Sequence, residues 1–361
     1  MNNSLIHFVL VVLLSVSSVL QAADLKGGQV IGRHIFGLVI DYKGDPALVD
    51  ERPLIYAPSG SIQLTSSKAA YQVSSIDQVV GALYMTKLSD DNGEPVDTYP
   101  LDLEPISGLT HPSPGTKTPW NSVLFSEVNP VDAKKPQAFA DIYKPYFKHK
   151  VEQVNPYHYG WLAELSLLEA EGSAKVIKNY AVGRLFAAHV LVMPDQQSLY
   201  LLDSKYSGNL YLFIADEKGS FSKGSLYVVH QKGNAIKYEL MGEESALRVK
   251  FKLKKIKFSD LFSVHNPESG QCQKSHIYIS TVYGEECLLL KNKNKRYAGL
   301  FDPIRVSSLM GVNDFLPSVD GMEYDVNSNQ IKFYAKGQVK YISSLGESTE
   351  PSSQYVIKRL Q

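Results

Sequence analysis

Gly208-Asn209-Leu210-Tyr211-Leu212-Phe213, the turn residues Asp216-Glu217-Lys218-Gly219, and then Gly224-Ser225-Leu226-Tyr227-Val228-Val229 decide the fold class. Each apolar run is short, carries aromatic or β-branched side chains, and is bounded by residues that favour tight turns, as in a strand entering a hairpin. The same grammar extends outward. Ser198-Leu199-Tyr200-Leu201 follows the turn signal Pro194-Asp195, and Gly81-Ala82-Leu83-Tyr84-Met85 precedes Asp91-Asn92-Gly93. Strands recurring every ~10 to 16 residues predict up-and-down antiparallel sheets, as in propeller blades, sandwiches or barrels. The expectation is an all-β chain.

Few segments resist that reading. Pro136 to Lys144, stopped by Pro145, and Leu162 to Ala170 tolerate a helix. In Arg248 to Phe258 the apolar residues Val249, Phe251 and Leu253 alternate with basic ones, and Lys254-Lys255 shifts the phase. That pattern predicts a bulged strand, its lysines either protecting a sheet edge or attracting a polyanion. The stretch Gly346 to Gln354 reads as a turn before a last short strand.

Of the 361 residues, 37 are Lys or Arg and 37 are Asp or Glu, so the net charge is zero. A general nucleic-acid binder would carry a basic excess, and no nucleic-acid partner is expected. With 44% hydrophobic and 20% charged residues the chain is not a disordered one. Leu5 to Leu20 is a short apolar run followed by Ala22 and Ala23. It predicts a signal peptide over residues 1–22 and a single mature domain over 23–361, exported to the periplasm or beyond. No later segment is long and apolar enough to span a bilayer. Cys272 and Cys287, an even pair, are expected to form a disulfide; metal ligation is the weaker alternative, because no CxxC spacing is present.

Common catalytic motifs are absent: no GxSxG elbow, no HExxH, no P-loop, no GxGxxG and no EF-hand loop occur. Carboxylates recur near turns, at Glu127, Asp203, Glu285-Glu286 and Asp320-Gly321. Such residues at strand ends would suit a hard cation held through oxygen if they converged, and singly read as solvated turn residues.

Several collinear blocks add a resemblance. Thr118-Pro119-Trp120-Asn121 through Glu127, Asn155-Pro156-Tyr157-His158-Tyr159-Gly160-Trp161, Tyr180-Ala181-Val182-Gly183-Arg184 and Val192-Met193-Pro194-Asp195 resemble segments of PhoX-type alkaline phosphatases. Lys257 to Phe262, Cys272 to Leu288, Arg296-Tyr297-Ala298 and Asp320-Gly321-Met322 extend the likeness. It implies a β-propeller, six-bladed or shortened, with irregular insertions and acidic ligands in an axial pocket. It further implies calcium, and in some members iron, acting on phosphate esters. Carried over residue by residue, the metal ligands would be Glu127, Asp203, Asp320 and Glu286. Arg184 and Arg296 would bind phosphate, or alternatively serve as structural salt bridges.

The departures bear on activity. Ser126 stands where many members have a cysteine, and Val128 replaces a second glutamate. Ala187 and Ala188 occupy the histidine and metal-binding glutamate positions, and Leu202-Asp203-Ser204 keeps one of two carboxylates. About 40 residues follow Asp320, fewer than the resemblance implies, so either the propeller closes more economically or part of its ligand set is deleted. Two functions follow: a metal-dependent phosphoesterase with a reduced site acting on a phosphorylated small molecule, or a non-catalytic propeller that binds a protein partner.

Overall fold

The computed structural model describes residues 24–170, 172–203, 208–232, 235–273, 275–291, 295–313, 319, 321–335, 338–343 and 355–359. The proposed leader and Asp320 lie outside them, as does the turn expected at 346–354. Among the described residues, five antiparallel sheets of three or more strands follow one another along the chain. Sheet A comprises Gly60–Thr65, Ala70–Ile76, Ala82–Leu88 and Pro95–Pro100. Sheet B comprises Thr116–Lys117, Ser122–Phe125, Ala163–Leu167 and Ala174–Lys178. Sheet C has five strands: His189–Val192, Ser198–Leu202, Leu210–Glu217, Ser220–Lys232 and Ala235–Ser245. In sheet D, Gly284–Leu290 lies between Phe262–His265 and Ile277–Thr281. Sheet E runs through Gly321–Asp325, Gln330–Ala335, Gln338–Ser343 and Tyr355–Arg359.

In sheets A, B, C and E neighbouring strands are consecutive, as the recurring turns predict. The runs Gly208 to Phe213 and Gly224 to Val229 form the heart of sheet C, where Tyr211 pairs with Val228 and Phe213 with Leu226. Apolar faces bury between the sheets. Val73 and Met85 of sheet A meet Val123, Phe125 and Leu165 of sheet B. Leu202, Leu212 and Val229 of sheet C meet Ile331 and Phe333 of sheet E.

The chain is mostly β, not purely so. Among the described residues, five short α-helices punctuate it: α1 (Pro136–Tyr143), α2 (Ala246–Leu253), α3 (Phe258–Leu261), α4 (Lys295–Phe301) and α5 (Pro303–Leu309). The first occupies the expected segment. By contrast, the segment from Leu162 is the strand Ala163–Leu167, because it pairs on both sides, with Ser122–Phe125 and Ala174–Lys178. The predicted bulged strand at Arg248 to Phe258 is α2 and α3. Ser245 caps α2 by accepting a hydrogen bond from the Arg248 backbone N–H at 3.4 Å. Val249 and Leu253, four residues apart, are buried, whereas Phe251 between them faces solvent. An alternating apolar pattern thus hid a helical period.

Candidate functional site

Three of the blocks that resembled PhoX, those around Glu127, Gly160-Trp161 and Arg184, come together at one end of sheet B. Phe125, Ala163 and Lys178 form a cross-strand row there, and Glu127 lies just beyond Phe125. Both Glu127 and the Lys178 side chain are fully buried, and Nζ lies 3.5 Å from Oε2. One carboxylate oxygen accepts from the Thr110 N–H at 2.8 Å; the other accepts from Gly160 at 2.6 Å and Trp161 at 3.1 Å. Gly160 has φ +96°, and a Cβ there would stand 2.3 Å from the Phe186 ring. Only glycine lets this backbone reach the carboxylate. Lys178 also donates to the carbonyls of Gly108 (2.9 Å) and His158 (2.7 Å). Burial pushes the Glu127 carboxyl up, opposed by Lys178 and the three N–H groups. It pushes the Lys178 ammonium down, opposed by Glu127.

Arg184 completes this framework. Its fully buried guanidinium donates to the carbonyls of Tyr159 (2.7 Å), Pro156 (3.2 Å), Phe301 (3.5 Å) and Val131. The rings of Tyr157 and Phe186 lie 5.2 and 4.8 Å from Cζ. Arg184 therefore ties three other segments of backbone to its own. The departures from the family pattern also meet: the Ser126 hydroxyl donates to the Ala187 carbonyl at 2.5 Å.

A second charged centre surrounds Arg305 on α5, also fully buried. Its guanidinium donates to Glu286 through Nε at 2.6 Å and Nη2 at 3.1 Å, to Asp302 at 2.9 Å and to Asp132 at 3.0 Å. Lys134 adds a bond to Glu286 at 2.8 Å. Three carboxylates thus share two cations. Burial raises the Glu286 carboxyl, but bonds and charge from Arg305 and Lys134 outweigh it and bring it below the ordinary carboxylate value. Asp132 opens this centre to a cleft of about 340 Å³ that Thr110, His111, Lys135, Phe139 and Ile142 also line. The backbone of Thr110 contacts Glu127, so one cleft borders both charged centres.

The remaining predicted residues lie apart. Asp203, fully buried at the end of Ser198–Leu202, accepts from the Asn209 N–H at 2.5 Å. The Asn209 amide donates to the Ser307 hydroxyl of α5 at 3.1 Å, and its Oδ1 is buried without a partner. Arg296 is exposed on α4 and pairs with Glu244 at 3.2 Å. Cys272 and Cys287 form the expected disulfide.

Among the described residues, one group of three His, Cys, Asp or Glu donors lies within 4.8 Å of one another: His265, Cys272 and Cys287. Both sulfurs belong to the disulfide. Among the described residues, Glu127, Asp203 and Glu286 do not form a group of donors around one point; Asp320, the fourth expected ligand, lies outside them. Glu127 and Glu286 each face internal cations that would repel a metal ion. Among the described residues, Asp203 with Asn209 Oδ1 offers fewer oxygens than the six to eight calcium takes. Among the described residues the donor set does not fit calcium or iron, and no reaction step is derived through them.

Sequence reading missed Lys178, Arg305, Asp132, Asp302 and Lys134. One signal was available for the second centre. Asp302-Pro303 followed by Arg305 is a helix start, with Asp302 accepting from the Arg305 N–H at 3.2 Å and Pro303 in the first turn. Nothing local marks Lys178, whose partners come from three distant segments.

No family model and no curated protein matches the sequence. The fold matches a solved structure, that of Pseudomonas fluorescens PhoX in complex with vanadate, a transition state analogue. The TM-score is 0.50 at 10% identity, over 88% of this chain and 71% of that one. Putative 6-phosphogluconolactonases of Bacteroides uniformis and Bacteroides fragilis also align, with TM-scores of 0.24 and 0.26 at 10% and 9% identity. Their alignments cover 84% and 89% of this chain, and 88% and 94% of theirs. This chain is built on a PhoX-like fold, which the sequence blocks had suggested and which 10% identity leaves strongly diverged.

Proposed function

We propose that this protein is an exported PhoX-like propeller, its five sheets serving as blades of one domain over 23–361, that works as a binding scaffold and not as a metal phosphatase. One observation carries this reading: carboxylates in line to hold metal instead face side-chain cations, Glu127 against Lys178 and Glu286 against Arg305 and Lys134. A buried ion pair that satisfies its own charge offers no net attraction to a cation. The cleft beside these pairs mixes Lys135, His111 and Asp132 with apolar walls, the composition of a small recognition pocket. Fold likeness to an enzyme does not transfer its reaction when the site differs.

A reduced-site phosphoesterase remains the second reading. The unpartnered Oδ1 of Asn209 beside Asp203 favours it, since both are hard oxygen donors. Elemental mass spectrometry on protein desalted without chelator separates the two. The scaffold reading expects no stoichiometric calcium or iron, no calcium uptake and no phosphate-ester hydrolysis. One equivalent of metal, lost in Asp203→Ala together with hydrolysis, would establish the enzyme instead. Glu127→Gln and Lys178→Met should each destabilise the protein by about 3–5 kcal/mol, the cost of leaving a buried charge unpaired.

A further inference from the structure

The outward face of α2 carries a surface remote in character from the cleft. Between Ser245 and Ser259 lie Arg248, Lys250, Lys252, Lys254, Lys255 and Lys257, with no acidic residue among them. Leu247 and Phe251, 79% and 69% exposed, stand four residues apart on one helical stripe. Val249 and Leu253 anchor the opposite side in the core, so this stripe is held outward. By helical spacing Lys250 and Lys254 flank it on one side and Arg248 on the other. Arg248 lies 3.6 Å from Glu244, and Lys252 lies 5.6 Å from the Tyr297 ring centre. Lys250, Lys254, Lys255 and Lys257 are exposed. Leu247 and Lys250 also border a groove of about 810 Å³, shared with Leu168 and Ile177, which are themselves exposed.

This combination restricts the partner. A soluble polyanion would engage the lysines and leave Leu247 and Phe251 in water. A lipid surface with anionic headgroups satisfies both, with cations at the phosphates and the apolar pair at the headgroup–acyl boundary. We propose that α2 docks this protein peripherally on an anionic bilayer, with Leu247 and Phe251 inserting and Lys250, Lys254 and Lys255 facing the lipid charge. No helix among the described residues is long and apolar enough to cross a membrane, so α2 rests on the surface. The inference does not depend on whether the cleft is catalytic.

The test places an indole at the predicted contact. Full-length Phe251→Trp protein is titrated with vesicles of phosphatidylcholine alone and mixed with phosphatidylglycerol, and the emission of the unsubstituted protein is subtracted. Docking predicts a blue shift with the mixed vesicles only. Pelleting of the otherwise unsubstituted protein with them should weaken about fivefold for each of Lys250→Ala and Lys254→Ala. It should also weaken in Leu247→Ser/Phe251→Ser. These side chains are exposed, and an unchanged melting temperature certifies each variant's fold. The proposal is overturned by an absent blue shift, or by equal binding to neutral and anionic vesicles. Anionic binding that ignores Leu247→Ser/Phe251→Ser also overturns it, and leaves a purely electrostatic polyanion site.

Discussion

Burial holds the His158 imidazole down, to about 4, and repulsion from Lys178 adds to the effect. Its Nδ1 is buried without a partner. An unfolded chain takes up a proton on this ring as pH falls through about 6.5, whereas the folded protein resists until about 4. The stability contributed by the neutral ring is therefore complete above about 6.5 and falls by about 3 kcal/mol as pH drops to 4. Melting temperature should decline more steeply over that window in the unsubstituted protein than in His158→Gln. Parallel declines would show that other groups govern acid stability. At the same scale, Glu127 was legible as a notable carboxylate, but its role was not. The residue type fits a metal ligand and an ion pair equally well, and the deciding partner, Lys178, lies 51 positions away (178 − 127).

The elements were legible where the signal was local. Turn residues mark the hairpins of sheets A and C because positive φ and side-chain-to-backbone bonds depend on a few neighbouring residues. The α2 helix was not legible, because Phe251 is exposed and broke the expected link between apolar character and burial. The disulfide between Cys272 and Cys287, separated by 15 positions, fastens a loop to the central strand of sheet D. Closing a loop of that length constrains the unfolded chain by about 3 kcal/mol. Cys272→Ser/Cys287→Ser should therefore lower the unfolding free energy by about that amount in chemical denaturation. An unchanged value would mean that sheet pairing alone holds the loop.

Across the molecule, Arg305 joins α5 to sheet D through Glu286 and to the segment before α1 through Asp132. Arg305→Met would leave three buried or nearly buried carboxylates facing Lys134 alone, at a cost of about 3–5 kcal/mol near neutral pH. In the unsubstituted protein Glu286 titrates below its ordinary value of 4.5. Its stabilising contribution is present above that pH and is lost as pH falls through the lower folded value. The stability difference between the two proteins should therefore shrink as pH drops below about 4.5. A difference that persists unchanged in acid would place the role of Arg305 in packing against Phe258 and Tyr283, whose ring centres lie 4.8 and 4.2 Å from Cζ.

By itself the sequence determined the mostly β composition, the hairpin positions, the first helix and the pairing of the two cysteines. Collinear blocks added the PhoX-like fold. These depend on local propensity, or on an order of segments readable along one dimension. Only the tertiary structure decided that Glu127 and Glu286 face lysine and arginine, that Arg184 clasps backbone carbonyls, and that the lysine-rich segment is a helix with an apolar crest. A buried charge is defined by what surrounds it, and here the surroundings come from strands, loops and helices distant in the chain.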